Sequence, residues 1–545
     1  MKLTRTRSAR HCCRAILAFA LFGFNALAFP QSAPLPAPLR DVLLTTGVPP
    51  GAVGIYVQEV GATRPLLEHN AGKAMNPAST MKLLTTLAGL ELLGPNFTWH
   101  TDAWLDGTLN GDVLQGNLVL KGYGDPKLTL EDFWLFLRDL RARGLREIRG
   151  DLVLDRTFFA VEPIDPAQFD NDPTRPYNVG PDPLLINYKS VRLQFLPQEE
   201  TGTVKILASP DLPQISILNQ LALGAGNCDF WPEKPQAIPE QARLIFSGVF
   251  PRGCGEKSKS FSLLTPNEYA FALFQQLWRE LGGTITGRGR DGAVPDSARL
   301  LATWESEPLA AAIRDINKFS NNVMARQVFL TLALAVDNPP VSTDKATRAM
   351  RDWLARSGLD FPELQLENGS GLSRNERISA RHLGELLLYA ARTPLLHEYA
   401  ASLPIPGVDG TLRRRLTDSP SAGRGHLKTG YLEGVRAIAG YMVDNRGRTV
   451  VLVSVINHSQ AVAAQAFQEA VCSGCGRGAR SLELEPSSAI LSAGSHLHMV
   501  PRLSCGTTRE EENHVSVCKQ HRAMPPRRAR GLVRSVGRSR QRSGR

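Results

Sequence analysis

The chain has 545 residues, 42% hydrophobic and 21% charged, which is enough apolar material for more than one core. Of its formal charge of +11, residues 1–28 carry +5 and residues 476–545 carry +9, so the body between them stands at −3. Such a composition excludes a small disulfide-stapled scaffold, and the body's charge gives no reason to expect nucleic acid as a substrate or partner.

Lys2, Arg5, Arg7, Arg10 and Arg14 precede an apolar run from Ala15 to Ala28 that closes on Ala26-Leu27-Ala28. This is the layout of a secretory signal peptide, so residues 1–28, with Cys12 and Cys13, are expected to be removed on export to the periplasm. The apolar run, about fourteen residues, is short for a membrane span.

Further on, Asn76-Pro77 introduces Ser79-Thr80-Met81-Lys82, and the pattern from Ser79 predicts a helix that Gly94-Pro95 stops. Met81, Leu83, Leu84, Leu87, Leu90, Leu92 and Leu93 go almost all the way round it, so the helix is expected to be buried. A lysine three residues after a serine shares its helical face, which sets Lys82 beside Ser79 at the positive end of the helix dipole. An apolar setting disfavours the ammonium form, which suits Lys82 to act as a general base toward a serine nucleophile.

The middle of the chain reads as β-rich with a few helices. Residues 111–122 look like hairpin material, residues 129–143 like an amphipathic helix with Phe133, Phe136, Leu137 and Leu140 on one side, and residues 267–281 like another helix. Cys228 and Cys254 are the only cysteines here, and an oxidising compartment favours their pairing.

Leu309, Ile313 and Ile316 give residues 308–319 a helical period, and Val323, Met324 and Val328 continue an apolar pattern beyond Ser320-Asn321-Asn322. A helix–loop–helix corner of this kind projects a hydroxyl and an amide into a cleft. Lys428-Thr429-Gly430 then opens a β-rich stretch in which Val435–Val443 and Thr449–Asn457 read as strands joined by Asp444-Asn445-Arg446-Gly447. Beside a nucleophile, such a lysine binds a substrate carboxylate.

Residues 459–471 look like the final packed helix. Cys472-x-x-Cys475 is a lone pair, and neither Cys505 nor Cys518 lies at a zinc-like spacing, so no metal and no other cofactor is expected. The tail, 476–545, has nine arginines and no acid from Arg522 to Arg545, a composition that cannot bury a core. It is either an adventitious extension or a basic arm that clings to anionic lipid or wall polymer.

Together and in this order, the Ser79–Lys82, Ser320–Asn322 and Lys428–Gly430 strings match the acyl-serine signature of penicillin-binding proteins and serine β-lactamases. The first two lie 241 positions apart. Further strings are Gly122-Tyr123-Gly124-Asp125-Pro126, Gly150-Asp151-Leu152-Val153-Leu154-Asp155, Asn368-Gly369-Ser370-Gly371-Leu372-Ser373-Arg374 and Gly407-Val408-Asp409-Gly410-Thr411-Leu412. Over residues 36–472 the chain resembles the class C penicillin-binding proteins, the D-alanyl-D-alanine carboxypeptidase/endopeptidase family.

That resemblance implies an α/β, serine β-lactamase-like (transpeptidase-like) domain, split into 36–99 and 297–475, with a mostly antiparallel sheet covered by helices. It implies a β-rich insertion, 100–296, of two small domains. It also implies acyl transfer from peptidoglycan stem peptides, with β-lactams as inhibitors. Ser79 would be the nucleophile, Lys82 its base, Ser320 a proton relay and Asn322 a holder of the acyl-side amide. Lys428, Thr429 and Gly430 would form the carboxylate site, the N–H of Tyr431 part of the oxyanion hole, and Asp155 a further substrate-binding group. Two positions depart from the family pattern: Glu367-Asn368 stands where an aspartate commonly precedes Gly-Ser-Gly-Leu-Ser, and Tyr431 follows Lys-Thr-Gly in place of threonine. A β-lactamase or an esterase on the same scaffold, and a catalytically silent wall-binding module, are the alternative readings.

Overall fold

The computed structural model describes residues 34–478. The expected signal peptide, most of the expected tail, and Cys12, Cys13, Cys505 and Cys518 lie outside the described residues.

Strands Gly425–Leu432, Val435–Val443, Thr449–Asn457, Val53–Glu59 and Leu67–His69 lie side by side in that order, each antiparallel to its neighbour. The inner strands are covered on both faces and therefore read as near-continuous apolar runs, while the period of two sorts their side chains between two cores. Along Thr449–Asn457, Val451, Val453 and Val455 enter one core, and Val450, Leu452 and Ile456 enter the other. Each such side chain contributes about 1.5–3 kcal/mol by leaving water. Helices Lys82–Leu92, Asn322–Thr331 and Ala380–Ala390 feed the first core, and helices Ala37–Leu44 and Gln465–Arg477 the second. This is the α/β layering that the sequence predicts.

The insertion leaves the catalytic domain on strand His100–Asn110 and returns on Arg299–Glu305, and these two strands pair antiparallel with Glu305 opposite His100. The strand that closes the insertion runs to Glu305. An insertion that departs and returns at one place brings its ends together, and here adjacent strands do so. Two sheets follow: one of seven strands, which includes Val113–Gly122 and Leu152–Asp155, and one of six, which includes Val191–Gln198 and Arg243–Pro251. The resemblance implied two small domains; the buried side chains of the two sheets merge into one core through Phe195, Phe246, Phe250, Phe274 and Trp278.

Helices Leu130–Ala142 and Pro266–Glu280 lie within one residue of their expected bounds at each end, and both begin with a capping box, Thr129 with Asp132 and Thr265 with Glu268. Cys228 and Cys254 form a disulfide with Cα atoms 5.2 Å apart.

The last helix is Gln465–Arg477, shifted from the expected 459–471, because residues 459–464 are spent in turns that bury Ala461 and Ala464. Cys472 and Cys475 are free thiols buried in the second core, and buried Gly476 packs against Pro420 and Ser421. The packed body thus runs past residue 475, where the sequence reading ended it.

Candidate active site

The turn that carries Ser79 is built before the helix proper. Ala78–Met81 form a short 3-10 turn that runs directly into helix Lys82–Leu92, so Ser79 lies one turn ahead of the regular helix start. Ala78 is left-handed (φ +45°), a conformation that costs an L-residue about 1–2 kcal/mol. Asn76 holds it there. Its Oδ1 accepts the Ala78 N–H at 2.9 Å, its side-chain amide donates to the Ser373 carbonyl at 2.8 Å, and its backbone N–H and C=O are both taken by the Asn457 side chain.

Two glycines close on the same turn. A Cβ on Gly371 (φ +81°) would fall 2.0 Å from the Ala78 carbonyl oxygen and 2.7 Å from the Ser79 nitrogen, and one on Gly430 would fall 2.7 Å from the Pro77 carbonyl oxygen. Neither position tolerates a side chain without moving the serine.

Lys82 is fully buried. Its Nζ lies 2.9 Å from Ser79 Oγ and 2.5 Å from Asn322 Oδ1, and it also donates to the Ser370 carbonyl oxygen. Burial, reinforced by the charge of Lys428, pushes its pKa well below the usual lysine range. All three neighbours are oxygens. Nζ donates to the Asn322 and Ser370 oxygens and to the Ser79 hydroxyl oxygen, which brings the amine within reach of the Ser79 hydroxyl proton once it is neutral.

Ser320 ends helix Leu309–Phe319 in a left-handed conformation (φ +59°, ψ +38°), and Asn321 caps the next helix by accepting the Met324 N–H. This sharp corner turns Ser320 Oγ toward Lys428, whose Nζ donates to it at 2.9 Å and to the Thr429 carbonyl at 2.9 Å. Lys428 is fully buried on the edge strand Gly425–Leu432, and burial lowers its pKa to about 7.

The structure therefore gathers Ser79, Lys82, Ser320, Asn322 and Lys428 into one cluster. Thr429 Oγ1 shares a 2.7 Å hydrogen bond with Thr411, and Gly430 packs under the serine turn. Tyr431 is 56% exposed, with the Arg436 guanidinium 4.1 Å from its ring centroid.

Asp155 is not brought to this cluster. It is fully buried in the inserted region, where its carboxylate accepts from the Thr157 N–H (3.0 Å), the Thr157 hydroxyl (2.7 Å) and the Val294 N–H (2.9 Å) and pairs with Lys121 at 3.2 Å. With its oxygens occupied there, Asp155 closes a strand end, and the geometry gives it no substrate to bind.

Sequence reasoning missed Glu376. This buried carboxylate receives the N–H groups of Glu367, Asn368 and Gly369 on one oxygen. It stands two residues after Arg374, the end of a motif string, and its one signal is an acid just before the apolar Ile378. Among the described residues no group of three or more His, Cys, Asp or Glu side chains is arranged to hold a metal ion.

A family model described as D-Ala-D-Ala carboxypeptidase 3 (S13) matches residues 37–473. The D-alanyl-D-alanine carboxypeptidase DacB of Haemophilus influenzae is 28% identical over 417 residues, which cover 76% of this chain and 87% of that protein. A D-alanyl-D-alanine carboxypeptidase of Actinomadura sp. is 27% identical over 450 residues, 79% of this chain and 82% of that protein. Among solved structures, the crystal structure of penicillin binding protein 4 from Haemophilus influenzae is 26% identical with a TM-score of 0.67, covering 80% of this chain and 99% of that one. The same protein complexed with a β-lactam matches with a TM-score of 0.62 at 26% identity, covering 79% of this chain and 98% of that one.

Proposed function

The chain belongs to the D-Ala-D-Ala carboxypeptidase 3 (S13) family and is a serine-type D-Ala-D-Ala carboxypeptidase, and from that premise we propose that it cuts peptidoglycan stem peptides through an acyl-enzyme on Ser79. Lys82 takes the Ser79 hydroxyl proton as Oγ attacks the carbonyl of the penultimate D-alanine. The C–N bond then breaks, and the proton passes through Ser320 to the leaving amine of the terminal D-alanine. Water hydrolyses the ester and frees Ser79. The N–H of Ser79, in the first turn of its helix, and the N–H of Tyr431 receive the oxyanion, where one donor is typically worth about 3–4 kcal/mol. Lys428 and Thr429 hold the terminal carboxylate, and Asn322 holds the acyl-side amide.

The observation that carries this reading is the placement of Lys82, fully buried with its Nζ 2.9 Å from Ser79 Oγ and its pKa pushed well below the usual lysine range by burial. A β-lactam presents the same carbonyl and carboxylate and acylates Ser79 in the same way. Cleavage of cross-linked dimers, an endopeptidase action, follows if the leaving amine belongs to a second peptide.

Export to the periplasm is part of this proposal. The charged and apolar pattern of residues 1–28 supports it, as does a disulfide, which persists in oxidising compartments. Digestion of purified muropeptides, with monomers and dimers followed separately, tests the activity. Loss of the terminal D-alanine from pentapeptide monomers is expected, and an intact D-Ala-D-Ala terminus in every product would reject it.

A further inference from the structure

Behind Lys82 lies a group that the acyl-transfer scheme does not use. The turn at residues 367–371 delivers the Ser370 carbonyl to Lys82, and Glu376 ties that turn down. Its Oε1 accepts the N–H groups of Glu367 (3.2 Å), Asn368 (3.0 Å) and Gly369 (2.9 Å). Burial pushes the Glu376 carboxyl above the usual carboxylate range, and the three N–H groups that converge on one oxygen, with Lys82, pull it back toward the ionised form. The second oxygen, Oε2, is buried and has no hydrogen-bond partner among the described residues.

Two cations on different elements feel this carboxylate, Lys82 on the serine helix and Arg326 on helix Asn322–Thr331, and Lys428 on the edge strand acts in turn on Lys82. The Arg326 Nε is itself buried without a hydrogen-bond partner among the described residues. Glu376 is close enough to act on the charges of both Lys82 and Arg326, and Glu367 acts on Arg326. Asn368, by contrast, is neutral. Its Oδ1 accepts the Ser370 N–H (2.9 Å) and the Ser370 hydroxyl (2.6 Å), so the turn is shaped at that position without a charge.

We propose that Glu376 is a positioning residue for Lys82: it anchors the turn whose Ser370 carbonyl receives the lysine, and it supplies a buried negative charge to Lys82 and Arg326. The charge makes Lys82 a stronger base than burial beside Lys428 alone would leave it. The proposal rests on Lys82 being the base for Ser79.

The test is the pH profile of acylation by a fluorescent penicillin, with the melting temperature followed at each pH. Glu376→Gln keeps an oxygen for the three N–H groups and removes the charge. The lysine then sheds its proton more readily, so the acid limb of the profile moves to lower pH. Glu376→Ala frees the turn as well, and acylation falls roughly 10- to 100-fold at every pH, as a displacement of about 1 Å at a reacting centre commonly costs. Adding Asn368→Asp to Glu376→Gln returns a carboxylate to the turn and moves the limb back toward higher pH.

A Glu376→Gln profile that overlies the native one, limb included, overturns the proposal. Should that variant fail to fold, Asn368→Asp in the native background must move the limb upward, and an unmoved limb overturns it equally. Lys82→Arg separates the two layers. If that variant still acylates, the base assignment itself fails; if it is dead and the Glu376→Gln limb has not moved, only the role of Glu376 fails.

Discussion

The inserted region and the catalytic domain are both built on well-packed sheets, but they place their buried charges differently. In the insertion, Asp155 is met by a cation, two N–H groups and a hydroxyl, and Asp102 is met by the hydroxyls of Thr303 (2.6 Å) and Tyr123 (3.0 Å). Its core is aromatic and apolar, and its two long helices start with complete capping boxes. The catalytic domain buries Lys82, Lys428, Arg326 and Glu376 close together, and it leaves one oxygen of Glu376 and the Nε of Arg326 without a hydrogen-bond partner among the described residues. It also holds Ala78 and Ser320 in left-handed backbone next to, or at, the groups that do the chemistry. The insertion has its own left-handed residues, such as Asn187, Tyr188 and Lys189, and its own unpartnered buried atoms among the described residues, such as Thr101 Oγ1 and Trp104 Nε1. Only the catalytic domain sets strained backbone and unpartnered charged groups beside the reacting serine and lysine.

That contrast can be broken from either side. The largest effect belongs to Lys82→Arg. Arginine cannot give up its proton in a protein, so acylation by penicillin should fall about a thousandfold or more, as expected for loss of a general base, with the melting temperature little changed. Stopped-flow acylation checks it, and a residual rate within tenfold of native would move the base elsewhere.

On the other side, replacing both Cys228 and Cys254 by serine should cost about 3 kcal/mol of stability, for a closed loop of this size, while kcat/KM stays put. Urea unfolding together with a D,D-peptide assay reads both quantities. A fall in kcat/KM on the folded double variant would mean that the insertion shapes the site.

The pH dependence sharpens the comparison within the catalytic domain. Lys428 must be charged to hold a carboxylate, and burial lowers it from the ordinary 10.5 to about 7. Above about 7, kcat/KM should decline toward tenfold per pH unit. In kcat the limb should sit higher, because a bound carboxylate restores the ammonium. Stability should move the opposite way. Between about 7 and the ordinary value near 10.5 the unfolded chain keeps a proton that the folded Lys428 has released, so this group's contribution rises with pH across that window. An alkaline limb in kcat/KM that starts only near the ordinary lysine value would show that Lys428 is not desolvated in the free enzyme.

The smallest effect is Thr265→Ala, which removes one half of a capping box in the insertion. About 1 kcal/mol of stability should be lost without any change in the acylation profile. A change in that profile would mean that the insertion is not energetically separable from the site.

How much of this was legible in the sequence depends on what holds each part. Strands Val435–Val443 and Thr449–Asn457 could be read to the residue, since β-branched runs meet a four-residue turn cluster. The inserted helices were found within a residue because their caps are local. The three motifs also found their own cluster, since side-chain spacing on a helix and along a strand is a local property. What escaped reading depends on contacts far along the chain. The left-handed Ala78 is imposed by Asn76, which Asn457 and Ser373 hold, and the run of the closing strand to Glu305 is imposed by pairing with His100. Glu376 reaches Lys82 only because the turn at 367–371 folds back over the serine helix. Asp155 was carried over from a string that marks the fold, and its carboxylate is used up by Lys121, Thr157 and Val294.

The central claim is that Ser79 is the atom source of the acyl-enzyme. Peptide mapping by mass spectrometry after reaction with penicillin tests it most directly. The account predicts one adduct, on the peptide that contains Ser79, and none on the Ser79→Ala variant at native fold. An adduct on Ser320, or one that survives Ser79→Ala, would contradict it.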